Sequence, residues 1–185
     1  MEKNKTNNKW GWQGGDNDEW YTPAEAIQPI IKHLKPGAKI CCPFDMPESM
    51  YVRILTENGF EVDHSHIAEG KDFFKLDRPD CDYIISNPPY SRRDDVLIRL
   101  YEWGIPFAML LNNNGLFDSR QRAYLAKDYG AEIMFLYPRV KYTDRNGNRN
   151  SCPFQSCYWC YRVLPEKMMF EIVREDTGQM RLEGL

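Results

Sequence analysis

No stretch of this 185-residue chain is long and apolar enough to span a bilayer: the longest apolar run, Ile105 to Leu111, includes a proline. Met1 to Glu19 is rich in Asn, Lys, Gly and Asp and lacks an apolar signal region, so neither export nor membrane anchorage is expected and a cytoplasmic location is. Charge of one sign is lacking too. Lys and Arg number 24 against 27 Asp and Glu, a net charge of −3, which excludes a uniformly basic nucleic-acid coat but leaves room for a local basic patch. There is no G-x-G-x-x-G and no phosphate loop, which counts against NAD and ATP. A metal centre is not expected. Cys152, Cys157 and Cys160 have no second Cys pair or nearby His to complete a zinc site, and Cys157 and Cys160 fall on opposite faces of a strand. With no export signal, the six cysteines read as thiols, and Cys41, Cys42 and Cys81 as small apolar residues. His33 and His66 pair with no Ser or Cys in any hydrolase pattern. Internal repeats and low-complexity segments are missing as well.

What is present is the material of one compact domain: 42% of residues are hydrophobic and 14% aromatic. Residues 1–18 read as a loose arm, 19–165 as the domain and 166–185 as an extension. Thr22-Pro23-Ala24-Glu25 reads as a helix start with Thr22 as cap, and Ile27, Ile30, Ile31 and Leu34 form its apolar face up to Pro36-Gly37. Further helices are expected over Pro47 to Asn58, Asp94 to Trp103 and Ser119 to Tyr129. Strands are expected over Ala38 to Pro43, Phe60 to His64, Asp82 to Ser86, Pro106 to Leu111, Ala131 to Tyr137 and Cys157 to Leu164. This alternation predicts an α/β, Rossmann-like fold with a mostly parallel, seven-stranded sheet and helices on both faces. The last two strands have no helix between them, so they are expected to pair antiparallel at one edge of the sheet.

The strongest chemical signal is Asn87-Pro88-Pro89-Tyr90, directly after a buried strand, where open α/β sheets bind ligands. Two prolines fix φ and remove backbone donors. The Asn87 side-chain oxygen and the Pro88 carbonyl can then accept hydrogen bonds from one planar amino group, while Tyr90 offers a face for a conjugated ring. Two such acceptors draw the nitrogen lone pair out of the ring and make it nucleophilic without a strong base.

With these residues the sequence resembles the class I S-adenosylmethionine-dependent amino methyltransferases, and more narrowly the small phage-type DNA N6-adenine methyltransferases. Glu19-Trp20-Tyr21-Thr22-Pro23 is similar to the motif that holds the methionine end of the cofactor. Pro43, Phe44 and Asp45 stand where the family's Asp-Pro-Phe and glycine turn follow the first strand. Here Met46-Pro47-Glu48-Ser49 fills the place of the glycines and Cys42 that of an acid. Asp63, His64 and Ser65 compete for the ribose-binding position. Gly70-Lys71-Asp72-Phe73-Phe74 is similar to the segment in which an acid, here Asp72, meets the cofactor's adenine amine and a ring, here Phe73, packs on it. The resemblance implies S-adenosylmethionine as cofactor and adenine N6 in DNA as acceptor.

A basic segment with interleaved aromatics, Arg139, Lys141, Tyr142, Arg145, Arg149 and Phe154, reads as a hairpin excursion over 139–154 that neutralises phosphate and stacks on an extruded base, with Arg92 and Arg93 on the same rim. The motif serves any planar amine, so RNA adenine, cytosine N4 and protein glutamine are alternative acceptors. A non-catalytic methyltransferase-like module is the alternative from a different class. Beyond the 139–154 excursion no room is expected for a target-recognition domain, so sequence specificity is expected to be loose or supplied by a dimer or a partner.

Overall fold

The computed structural model describes residues 21–143, 149–151 and 154–173. The expected arm, most of the extension, Arg145 and Cys152 lie outside the described residues, as does the side chain of Arg149.

Seven strands build the main sheet: β1 (Lys39–Cys42), β2 (Glu61–His64), β3 (Tyr83–Ser86), β4 (Phe107–Asn112), β5 (Glu132–Tyr137), β8 (Ser156–Tyr161) and β9 (Met168–Ile172). A second, two-stranded sheet pairs β6 (Lys141–Thr143) with β7 (Arg149–Ser151). Among the described residues four α-helices pack on the sheet: α1 (Ala24–Ile31), α2 (Met50–Glu57), α3 (Arg93–Trp103) and α4 (Arg120–Asp128). The strand order is β2-β1-β3-β4-β8-β5-β9. All neighbours are parallel except β8, which runs antiparallel to both β4 and β5. The expected antiparallel pair therefore exists but does not lie at an edge: β8 is wedged between β4 and β5. The edge belongs to β9, parallel to β5, in a segment that the sequence pattern does not mark as a strand.

Alternation along the strands sorts the core into two layers. Ile40, Cys42, Tyr83, Ile85, Ala108, Leu110, Met134, Leu136, Tyr158 and Cys160 pack with Ala26, Ile27 and Ile30 of α1 and Tyr51 and Leu55 of α2. Their neighbours in sequence, Cys41, Ile84, Phe107, Met109, Leu111, Ile133, Cys157 and Trp159, pack with Val96, Leu97, Leu100 and Tyr101 of α3 and Leu125 of α4. Burying each such Leu or Ile contributes about 1.5–3 kcal/mol. Cys157 and Cys160 lie in different layers, as strand geometry requires.

Polar tips inside these layers find partners. Tyr51 and Tyr158 hydroxyls meet at 3.0 Å, and Trp159 Nε1 donates to Tyr101 Oη at 2.9 Å. The buried Arg122 guanidinium donates to the carbonyls of Leu116 at 2.6 Å and Gly115 at 2.8 Å, and pairs with Asp94 at the start of α3. Glu132, at the start of β5, accepts the backbone N–H groups of Arg162, Val163 and Leu164 at 3.1, 3.0 and 2.8 Å. That carboxylate anchors the turn that leaves β8, in which Arg162 takes a left-handed φ of 56°.

Two helix starts differ from expectation. Thr22 does not cap α1; Pro23 occupies the cap position and the helix begins at Ala24. The second helix begins at Met50 and not at Pro47, because the Ser49 hydroxyl accepts the Val52 N–H at 3.2 Å and sets the boundary there.

Candidate active site

The parallel strands β1, β2 and β3 end side by side, and their exits carry most of the expected site. Ser65 follows β2, Pro43 to Asp45 follow β1, and Asn87 to Tyr90 follow β3. Backbone bonds lock the first two exits: Asp45 N–H donates to the Ser65 carbonyl at 3.2 Å, and Ser65 N–H to the Cys42 carbonyl at 3.2 Å. Side chains lock the first and third. Ser86 Oγ, at the last position of β3, donates to the Asp45 carboxylate, and Ser49 donates to the same group. Asp45 is buried, and burial pushes its carboxyl from the ordinary 3.8 up to about 6, with the two serine bonds opposing the rise.

The N-terminal segment joins from the other side. Tyr21 pairs with Thr143 of β6 through bonds of 2.9 and 3.2 Å, which leaves its ring exposed and carries buried Thr22 to the exit of β3. Asn87 Nδ2 donates to Thr22 Oγ1 at 3.3 Å. This bond fixes the amide so that Oδ1 is the end left over. Asn87 Oδ1 is buried and has no hydrogen-bond partner, and the same holds for Ser65 Oγ. Pro88 is buried and Pro89 exposed. The half-buried Tyr90 ring meets Phe154 edge-on, 5.6 Å between centroids and 81° between planes. An open cavity of about 450 Å³ begins at Tyr90 and runs along Ser91 to Asp95, Asp118, Ser119 and Arg122; Asn87 is not on its wall.

Several expected roles change with this geometry. The sequence pattern suggests that Tyr142 and Phe154 stack on an extruded base, but both are core residues. Tyr142 is fully buried with its hydroxyl 2.8 Å from Ser156 Oγ, and Phe154 backs Tyr90. Alternation along β6 turns Tyr142 inward and leaves Lys141 exposed, with Arg139 also exposed just before it. Arg93 does not join a phosphate-facing rim: its guanidinium turns inward to Asn112 Oδ1 at 3.0 Å. Burial, and then the neighbouring Arg122 charge, lower its pKa. Arg92 is exposed but bonded to Asp95 at 3.0 Å, with its guanidinium 3.6 Å over the Phe74 ring. Phe73 is built into the core against Phe44, at 4.7 Å, and Trp103, and both of these rings and Phe74 are half-buried. Asp72 caps the short turn Phe73–Lys75, accepting the Phe74 N–H at 3.0 Å, and lies 3.7 Å from Lys75. Of the three candidates after β2, Asp63 is exposed and bonded to its neighbour's N–H, whereas Ser65 is the buried one. Sequence reading misses Ser86 and Ser49. The signal for Ser86 is a small hydroxyl closing an otherwise apolar strand.

No protein-family model matches the sequence, and no curated protein is significantly similar to it. Solved structures of similar fold include a modification subunit assigned to a type I restriction enzyme from Vibrio vulnificus YJ016. It is 13% identical, with a TM-score of 0.49, over 90% of this chain and 49% of that one. A type I restriction-modification methyltransferase subunit from Streptococcus thermophilus is also 13% identical, with a TM-score of 0.45, over 86% of this chain and 48% of that one. The chain spans about half the length of each of these proteins.

Proposed function

We propose that this chain transfers a methyl group from S-adenosylmethionine to an exocyclic amine of a nucleic-acid base, the N6 of adenine in DNA. The observation that carries the proposal is Asn87. A buried acceptor without a partner costs about 1–3 kcal/mol, and a ligand amine is the group that would relieve it. Thr22 holds the amide in the orientation that presents oxygen to that amine. An N–H bond to Asn87 Oδ1, joined by one to the Pro88 carbonyl, turns the amine's lone pair away from ring conjugation and toward an incoming carbon. Tyr90, backed by Phe154, supplies the ring against which a flipped base would stack. Exposed Arg139 and Lys141 supply positive charge where β5 ends, on the same side of the sheet as Asn87. Asn87 Oδ1 is shut from water in this conformation, so acceptor entry requires its neighbours to part.

The exits of β1 and β2 fit the cofactor at a reduced set of contacts. Ser65 Oγ, buried and unpartnered, suits a ribose hydroxyl, and half-buried Phe44 suits the adenine ring. When bound, S-adenosylmethionine supplies an electrophilic methyl carbon on sulfur. Pro43 and Asp45 shape the same corner, while Tyr21 and Pro23 flank Thr22 at the exit of β3.

The test is transfer of labelled methyl to adenine-containing DNA, beside RNA, cytosine-only DNA and glutamine peptides. Asn87→Ala is expected to abolish transfer while calorimetry shows cofactor affinity nearly unchanged. Methylation that survives the substitution refutes the role given to Asn87. A second reading, a non-catalytic binding module, draws on the Asp45 carboxylate being taken by Ser86 and Ser49 in a turn without glycine. Absence of any heat with millimolar S-adenosylmethionine would favour it.

A further inference from the structure

We infer that β9 is a self-pairing edge, through which two copies of this chain join into one continuous sheet. The register sets Phe135 beside Phe170 and Tyr137 beside Ile172, so Phe135, Tyr137, Met168, Phe170 and Ile172 share one face of β5 and β9. That face is open. Met168 is 60% exposed, Phe170 and Ile172 are each 72% exposed and Tyr137 is 39% exposed. Together they leave on the order of 400 Å² of contiguous apolar surface, within the range of the largest patch on a monomer, which is often functional.

The two edges of the sheet are built differently. At β2 the exposed positions are Glu61 and Asp63, acids that discourage another strand from pairing there. At β9 the exposed positions are Met, Phe and Ile, which invite one. Among the described residues no strand pairs with the outer side of β9.

The occupant follows from symmetry. An isologous antiparallel pairing needs a pattern that reads alike about its centre. About Phe170 the apolar positions 168 and 172 are equidistant, so Met168 meets the partner copy's Ile172 position and Phe170 meets its own equivalent. The apolar face then runs unbroken across the seam. On the opposite face Met169 meets the position of Glu171, whose charge is already matched by Lys32 of its own chain, so no unpaired acid is trapped. Residues 174–185 are poor candidates for the same edge, since five of these twelve are charged and two are glycine, with no alternation of strand formers. The pairing inverts one copy relative to the other, so the two candidate active sites face opposite ways and neither borrows a residue.

The test reads mass and cross-linking and not activity, so it stands or falls apart from the methyl-transfer reading. In sedimentation velocity the full chain is expected at twice the 21.8 kDa of one protomer. Phe170→Lys, at an exposed position, is expected to halve that mass while leaving the circular dichroism of the folded chain unchanged, and to remove the concentration dependence of the melting temperature. Phe170→Cys places two thiols across the two-fold axis, with Cα atoms about 4.5–5.5 Å apart, within disulfide reach. It is expected to give a disulfide-linked dimer under oxidised glutathione, well above wild type and above Met168→Cys. A wild type that is monomeric up to millimolar concentration overturns the inference, as does a dimer that persists in Phe170→Lys. Equal cross-linking of Met168→Cys would mean the faces stack and the edges do not pair, and would overturn it too. A chain that dimerises only after removal of 174–185 would make that tail the occupant, and the inference would fail.

Discussion

Replacing Asp45 with asparagine isolates the energetic cost of the junction between β1 and β3. Burial holds the Asp45 carboxyl at about 6 in the folded chain, against an ordinary 3.8. Between these values the folded state keeps a proton that the unfolded state has lost. Stability from this group is therefore full below about pH 4, declines as pH rises and is lost above about 6. At about 1.4 kcal/mol per pH unit the gap amounts to about 3 kcal/mol. The amide that replaces the carboxyl carries no charge at any pH and keeps an oxygen for the Ser86 and Ser49 hydroxyls. Urea denaturation of both proteins at pH 4.5, 6 and 8 measures the difference. Because about 1 kcal/mol is already lost at pH 4.5, Asp45→Asn is expected to gain about 2 kcal/mol relative to wild type between the lowest and highest pH. A difference that stays constant across the three would refute a buried, proton-holding Asp45.

Two further substitutions test the scaffold under the site. Glu132→Ala strips three backbone N–H groups, two of them buried, of their acceptor and is expected to lower unfolding free energy in denaturant by about 3 kcal/mol, while leaving the oligomeric mass unchanged. Tyr142→Phe removes the bond to Ser156 and strands that hydroxyl, at about 1–2 kcal/mol; because the ring is fully buried, DNA affinity in a filter or anisotropy assay is expected to stay at the wild-type value.

The layered fold is legible in strong local signals. The strands β1, β3 and β4 are apolar runs closed by Gly, Pro or Asn-Pro, and the helices between them are bounded by Ser caps and glycines such as Gly104, which takes a φ of 65° after α3. Where β8 sits is not legible. Residues 156–161 look the same whether the strand closes an edge or is wedged between two others, since both give an apolar, antiparallel strand. Strand β9 escapes notice because its alternation, with Phe170 and Ile172 facing outward, gives no continuous apolar run. The placement of Asn87-Pro88 at the exit of β3 is legible because proline rigidity is a property of the residue itself. The corner around Asp45 is not. Its carboxylate is committed through Ser86, 41 positions away, and no local spacing encodes a contact between two strand exits. Tyr142 and Phe154 mislead because charged neighbours suggest a surface, while the period of two in Lys141-Tyr142-Thr143 already points the ring inward.

The return of β8 through the middle of the sheet fixes where new parts can be attached. The chain leaves β5 and re-enters at β8, two adjacent strands about 4.8 Å apart. The segment between them is rooted on a single strand spacing, and Val140, Tyr142 and Phe154 within it pack into the layer below. A longer hairpin grafted between Thr143 and Arg149 would keep those three side chains and the pairing of Tyr21 with Thr143 in place, and would add length only beyond them.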